Sequence, residues 1–118
     1  MAGEFEKVID VAASTPKSGY ASALVYIRNP IIDQLEIIFP PGSQNLCYVA
    51  LFYNGFQFMP NPMSSDTWYH GEGTVSYSGG RRIPGSEGQS FIPIEIRAYN
   101  LDDTYIHRPV IRFDTRPQ

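Results

Sequence analysis

The amino-acid sequence predicts an all-β protein, an antiparallel two-sheet β-sandwich of jelly-roll type with about eight short strands. Three observations predict it. Ten Gly and ten Pro punctuate 118 residues. The runs between them are rich in β-branched and aromatic residues, and none carries the stripe of an amphipathic helix. Asn54-Gly55 lies between two apolar-aromatic runs, the strongest short-range signal for a hairpin with a type I′ turn, because Asn tolerates and Gly readily adopts φ > 0. No repeat or linker divides the chain, so residues 1–118 read as one domain, with 1–16 an N-terminal strand or arm and 114–118 a tail.

Residues 4–12 form the first expected strand, closed by the Ser, Pro and Gly of 14–19. Residues 20–28 alternate, with Ala21, Ala23, Val25 and Ile27 on one side and Tyr20, Ser22, Leu24 and Tyr26 on the other. Asn29-Pro30 ends that strand. Residues 33–39 place Leu35, Ile37 and Phe39 on one face, before Pro40-Pro41-Gly42 forces a turn. The hairpin over 46–59 then pairs Tyr53 with Phe56, Phe52 with Gln57, Leu51 with Phe58 and Ala50 with Met59. In that register Cys47, Val49, Leu51, Tyr53, Phe56 and Phe58 share one face, and Tyr48, Phe52 and Met59 share the other. A sheet face open to water should be polar. This second face is not, so a folded-over arm or another chain is expected to cover it.

Residues 60–73 and 79–89 read as loops, separated by a short strand over 74–78. Residues 91–99 and 105–113 read as a second hairpin around Asn100-Leu101-Asp102-Asp103, with Ile92, Ile94, Ile96 and Ala98 inward and Glu95 opposite Arg108. Pro93 and Pro109 put part of that hairpin at a sheet edge.

Bulk composition restricts function. Net charge is −3 with nine Lys and Arg spread along the chain, so neither nucleic acid nor an anionic membrane is an expected partner. Cys47 is the single cysteine, which excludes an internal disulfide, and its face makes it a small hydrophobe. The acidic, polar start does not resemble a signal peptide, and no apolar run approaches the ~18 residues of a membrane span. A soluble protein made in the cytosol is expected.

No motif carries recognisable chemistry. His70 and His107 are the only histidines, and a nucleophile elbow of the Gly-x-Ser-x-Gly kind is absent. Asp102, Asp103, Glu72 and the histidines lack metal-ligand spacing, and Asp102-Asp103 reads more simply as a turn pair. No cofactor or enzymatic activity is expected. Gly79-Gly80-Arg81-Arg82 lacks the spacing of a phosphate cradle and reads as solvated loop. Trp68, in a polar stretch, is either an anchor closing one end of the sandwich or a binding platform. The candidate interaction residues are Tyr48, Phe52, Met59, Trp68 and Tyr69.

Three stretches carry a resemblance: Ile38-Phe39-Pro40-Pro41-Gly42 leading into residues 49–60, then 68–77, then 94–107. Together they resemble small β-sandwich structural proteins of tailed bacteriophages and related viral elements, of the kind that decorate a capsid or complete a virion. The motifs concern turns and core and cover roughly two thirds of the chain. The resemblance implies a virion location, no catalytic residues, self-association as a trimer or other symmetric cluster, and a major capsid or other virion protein as partner. No capsid-binding motif accompanies it. Two other readings stand beside it: a lectin-like carbohydrate-binding module stacking sugars on Trp68, Tyr69 and Tyr105, and a subunit of an intracellular assembly.

Overall fold

A computed structural model describes residues 3–42, 46–60, 68–83 and 91–117 of the chain. The described strands are β1 (Gly3–Val8), β2 (Ala21–Ile27), β3 (Ile31–Phe39), β4 (Cys47–Tyr53), β5 (Phe56–Met59), β6 (Tyr69–His70), β7 (Gly73–Arg82), β8 (Ile92–Asn100) and β9 (Val110–Arg116). A four-stranded sheet runs β1-β9-β3-β7, and a second runs β2-β8-β4-β5 with β6 also pairing β4. Every pairing is antiparallel. With β6 set aside, successive strands alternate between sheets except at the β4–β5 hairpin, which is the strand order of a jelly roll. No described helix is long and apolar enough to cross a membrane.

The alternation read from sequence sets the core. Ile92, Ile94, Ile96 and Ala98 of β8 are fully buried, and they meet Leu35, Ile37 and Phe39 of β3 and Ile111 and Phe113 of β9 in one apolar cluster. β2 contributes Ala21, Ala23, Val25 and Ile27, and Phe5 stacks on Phe113 with ring centroids 5.7 Å apart. Cys47 is buried here, and that burial pushes its thiol up to about 12. It is inert at neutral pH.

The Asn54-Gly55 turn forms with φ of 54° and 84°, and Tyr53 and Phe52 pair Phe56 and Gln57 as expected. Beyond them the register departs from the expectation. A bulge between Leu51 and Phe52 pairs Leu51 with Met59 and leaves Phe58 as the extra residue. Met59 therefore belongs to the core face, and Phe58 and Met59 are both 2% exposed within the same cluster. Phe56 leaves that face at the hairpin tip and is exposed.

The second expected hairpin does not form. β8 and β9 lie in different sheets, and residues 101–109 cross from one to the other. Glu95 pairs with Arg97 at 2.8 Å, and Arg108 pairs with Asp10 at 3.0 Å. The inward face of β8 was legible, but its neighbours are β2 and β4. Pro93 is accommodated because β4 stops pairing β8 at Glu95. β7 runs through the Gly79–Arg82 stretch expected to be loop, and the 84–89 part of that loop lies outside the described residues. β9 reaches Arg116, so residues 114–116 are strand rather than tail, and Thr115 is buried with its hydroxyl accepting from Asn29. β1 is held against β9 over its whole length, so the described part of the N-terminal segment is engaged by its own sheet.

Ile96→Ala empties a fully buried position on a central strand and should cost about 2–5 kcal/mol, whereas Ile106→Ala, at a solvent-exposed site, should change stability by less than about 0.5 kcal/mol. Urea denaturation followed by Trp68 fluorescence measures both.

Candidate interaction surfaces

β4 is buried on both sides. Its inward residues fill the core, while Ala50 and Phe52 on the outer side form a second buried cluster with Trp68. Trp68, just before β6, meets the Phe52 ring edge-on at 5.7 Å and the Tyr99 ring at 4.9 Å. Tyr48 stacks on Tyr99 at 4.5 Å. The Arg97 guanidinium lies 4.0 Å over Phe52 and 4.5 Å over Tyr20, and Lys17 sits 5.6 Å over Trp68. The chain thus covers its own second sheet face with aromatic rings and the stems of two cations.

The pairing of β6 explains this placement. β8 occupies one side of β4, so β6 takes the other, opposite Tyr48 and Val49 and beyond the end of β5. Alternation through β6 turns Trp68 outward, Tyr69 inward and His70 outward. Tyr69 packs against the main core, where burial, reinforced by the nearby Tyr77 phenol and opposed by Arg81, pushes its phenol up to about 12. Of the candidate interaction residues, Tyr48, Phe52 and Trp68 come together, while Met59 and Tyr69 lie in the core between the sheets. Trp68 is 5% exposed, an anchor rather than an open platform. Residues 61–67 of the expected 60–73 loop lie outside the described residues.

A second feature was missed in sequence. The end of β8 and the connection to β9 bury three polar residues, Asn100, Asp102 and His107, and expose three large apolar ones. Asn100 is fully buried, and its Nδ2 donates to the carbonyls of Val11, Ala12 and Tyr105 at 3.2, 3.3 and 2.9 Å. Its Oδ1 accepts from the Asp102 amide at 3.0 Å. Asp102 Oδ1 accepts from the amides of Thr104 and Tyr105, and Oδ2 lies 2.9 Å from His107 Nε2. His107 is 5% exposed, and its backbone exchanges two hydrogen bonds with Val11. Leu101, Tyr105 and Ile106 instead stand 52%, 66% and 42% exposed. A loop ordinarily does the reverse. Here the buried hydrogen bonds make a rigid support for an apolar tip.

The same geometry bears on chemistry. The Asp102–His107 contact resembles two members of a hydrolytic triad, but no Ser or Cys side chain is hydrogen-bonded to His107 among the described contacts. Asp102 is also committed to two backbone amides. The Thr104 amide and the His107 ring, helped by the Tyr105 amide, outweigh its partial burial and hold its carboxyl below the ordinary carboxylate range. Among the described residues no group of three or more His, Cys, Asp or Glu could hold a metal ion. The outer face of the first sheet carries a shallow depression of about 490 Å³ beside Glu6, Gln34, Glu36, Arg112 and Asp114, where Arg112 is bound by Glu6 at 2.7 Å.

Phe52→Ala removes the ring beneath Trp68 and should destabilise the isolated chain by about 3 kcal/mol, with a red shift of Trp68 emission as the indole gains water. An unchanged monomer would mean that the second face is not closed by its own chain. Asp102 has a depressed folded-state pKa, so its stabilising effect is complete above its ordinary value of 3.8 and fades as pH falls through the lower folded value. As pH falls from 3.8 toward that lower value, stability should therefore decline less steeply in Asp102→Ala than in the parent, which acid titration of unfolding measures.

No protein-family model matches the chain, and no characterised protein matches its sequence, so the functional reading rests on the chain's own residues.

Proposed function

We propose that this protein is a non-enzymatic structural component of a virus particle, a capsid decoration or accessory protein that binds a repeated site as a symmetric oligomer, with a trimer favoured. The observation that carries this reading is where the apolar surface lies. One sheet face is closed by Trp68 and Arg97, and the central rows of the other carry Glu36, Arg112, Ser76 and their neighbours. Apart from Leu24, midway along β2, the exposed large apolar side chains gather at the two ends of the sandwich. Apolar side chains held out on a braced support suit protein contact rather than turnover. Jelly rolls serve both as capsid domains and as lectins, so the architecture supports the particle reading by analogy alone. The sugar-binding alternative loses support, because Trp68 is buried and Tyr69 faces the core while Tyr105 stands on a different loop. His107 and its carboxylate partner are taken up in bracing the 100–107 corner, which supports a non-enzymatic role.

Sedimentation of the purified protein, alone and with candidate virus particles, tests the reading. It should sediment as an oligomer and pellet with particles to a saturating ratio. A strict monomer that ignores particles and binds a glycan through Trp68 would reverse the assignment.

A further inference from the structure

The two ends of the sandwich are alike in apolar exposure and unlike in charge. Among the described residues, the strand registers put 9–20, 40–42, 46, 60, 68, 71–72 and 101–109 at one end, and 28–30, 54–55, 83 and 91 at the other. At the first end Leu101, Tyr105 and Ile106 project from the braced corner; at the far end Tyr26, Phe56 and Phe91 are exposed. Among the described residues, the corner end, beyond the row of Glu36 and Arg112, carries Asp10, Glu72, Asp103 and the buried Asp102 against Lys7, Lys17 and Arg108, with Arg108 paired to Asp10. The described part of the far end, beyond the row of Gln34 and Asp114, carries Arg28, Arg81, Arg82 and Arg116 against Asp33, which pairs with Arg116 at 2.9 Å. Four of the chain's nine Lys and Arg thus sit at one tip of a molecule 43 Å long and about half as wide.

We infer that the corner end of one copy docks on the far end of the next, head to tail, so that the occupant of the exposed apolar corner is a second copy of this chain. The inference rests on the reading of the protein as a self-associating particle component and names the contact that builds the oligomer. Charge complementarity selects this pairing. Corner against corner would oppose acidic ends, and far end against far end would oppose arginines, whereas head to tail brings Asp103 toward Arg28. The Arg28 guanidinium already lies over Phe91 at 5.1 Å, so it serves both the apolar and the charged part of the far-end surface. A head-to-tail contact uses two different patches, so it closes into a ring when the rotation permits and otherwise runs on as a filament. A trimer of this kind is a closed ring with every corner occupied.

Two variants of the full chain test the contact. Leu101→Ser with Tyr105→Ser disables the corner, and Tyr26→Ser with Phe91→Ser disables the far end. All four positions are exposed, and unchanged Trp68 emission confirms the fold. Sedimentation velocity should show each variant alone as a monomer, its self-association weakened roughly tenfold or more. Mixed in equal amounts, they should form a dimer and go no further, because one supplies an intact corner and the other an intact far end. Asp103→Arg and Arg28→Glu should each weaken assembly, and their combination in one chain should restore it. An oligomer that survives both apolar variants would overturn the head-to-tail contact while leaving the particle reading standing. So would a parent that stays monomeric yet binds particles. A parent that neither self-associates nor binds particles would overturn both.

Discussion

The buried side chain of Asn100 is the interaction on which the corner end of the sandwich depends. The inward positions of β8 are apolar from Ile92 to Ala98, and a further apolar residue would have continued the pattern. At that point, however, the chain crossing between sheets brings the carbonyls of Val11, Ala12 and Tyr105 around one buried position, that of Val11 being fully enclosed. Buried carbonyls need donors, and leaving one unsatisfied costs about 1–3 kcal/mol. A single amide group supplies them and also accepts from Asp102, joining the 9–15 segment to the 100–107 corner. The Asn100 and His107 backbones add hydrogen bonds to Thr15 and Val11. The apolar residues of the corner can then face outward, because polar contacts already hold the loop.

The second sheet face shows how a small β-protein disposes of apolar surface that its core cannot take. Tyr48, Ala50 and Phe52 pack with Trp68 and Tyr99, and Arg97 completes the cover with its guanidinium 4.0 Å over Phe52. This face is an extension of the core. The exposed rings accordingly lie elsewhere, near the ends of the sandwich: Tyr105 and Phe91 on connections, Tyr26 and Phe56 close to the ends of their strands.

Much of the fold was legible in sequence because strand alternation is local. The inward sets of β2, β3 and β8, the Asn54-Gly55 turn and the apolar outer face of the hairpin all follow from period two and turn chemistry. The failures are non-local. A bulge that admits both Phe58 and Met59 to the core leaves no mark in a pattern of apolar residues. A strand followed by a four-residue turn signal reads as a hairpin whether its successor lies beside it or in the opposite sheet, and Asp102 forms the same local hydrogen bonds in either case. The need for cover over Phe52 was visible, but its source in Trp68 was not, since β6 is only two residues long. The corner was hidden for a different reason: its polar residues look like ordinary turn formers until their burial is known.

These features together constrain how such a chain can bind. With a net charge of −3, the molecule has little long-range steering. Affinity must come from short-range apolar contact on surfaces that are already rigid, because ordering a loop at the moment of binding would consume much of the gain. The hydrogen-bonded corner satisfies that condition: its ordering cost is met during folding by Asn100, Asp102 and His107. In the proposed assembly the contact repeats, and linked contacts raise avidity without any new chemistry. On the proposed reading, the rigid apolar corner is the part of the sandwich that such repetition would use.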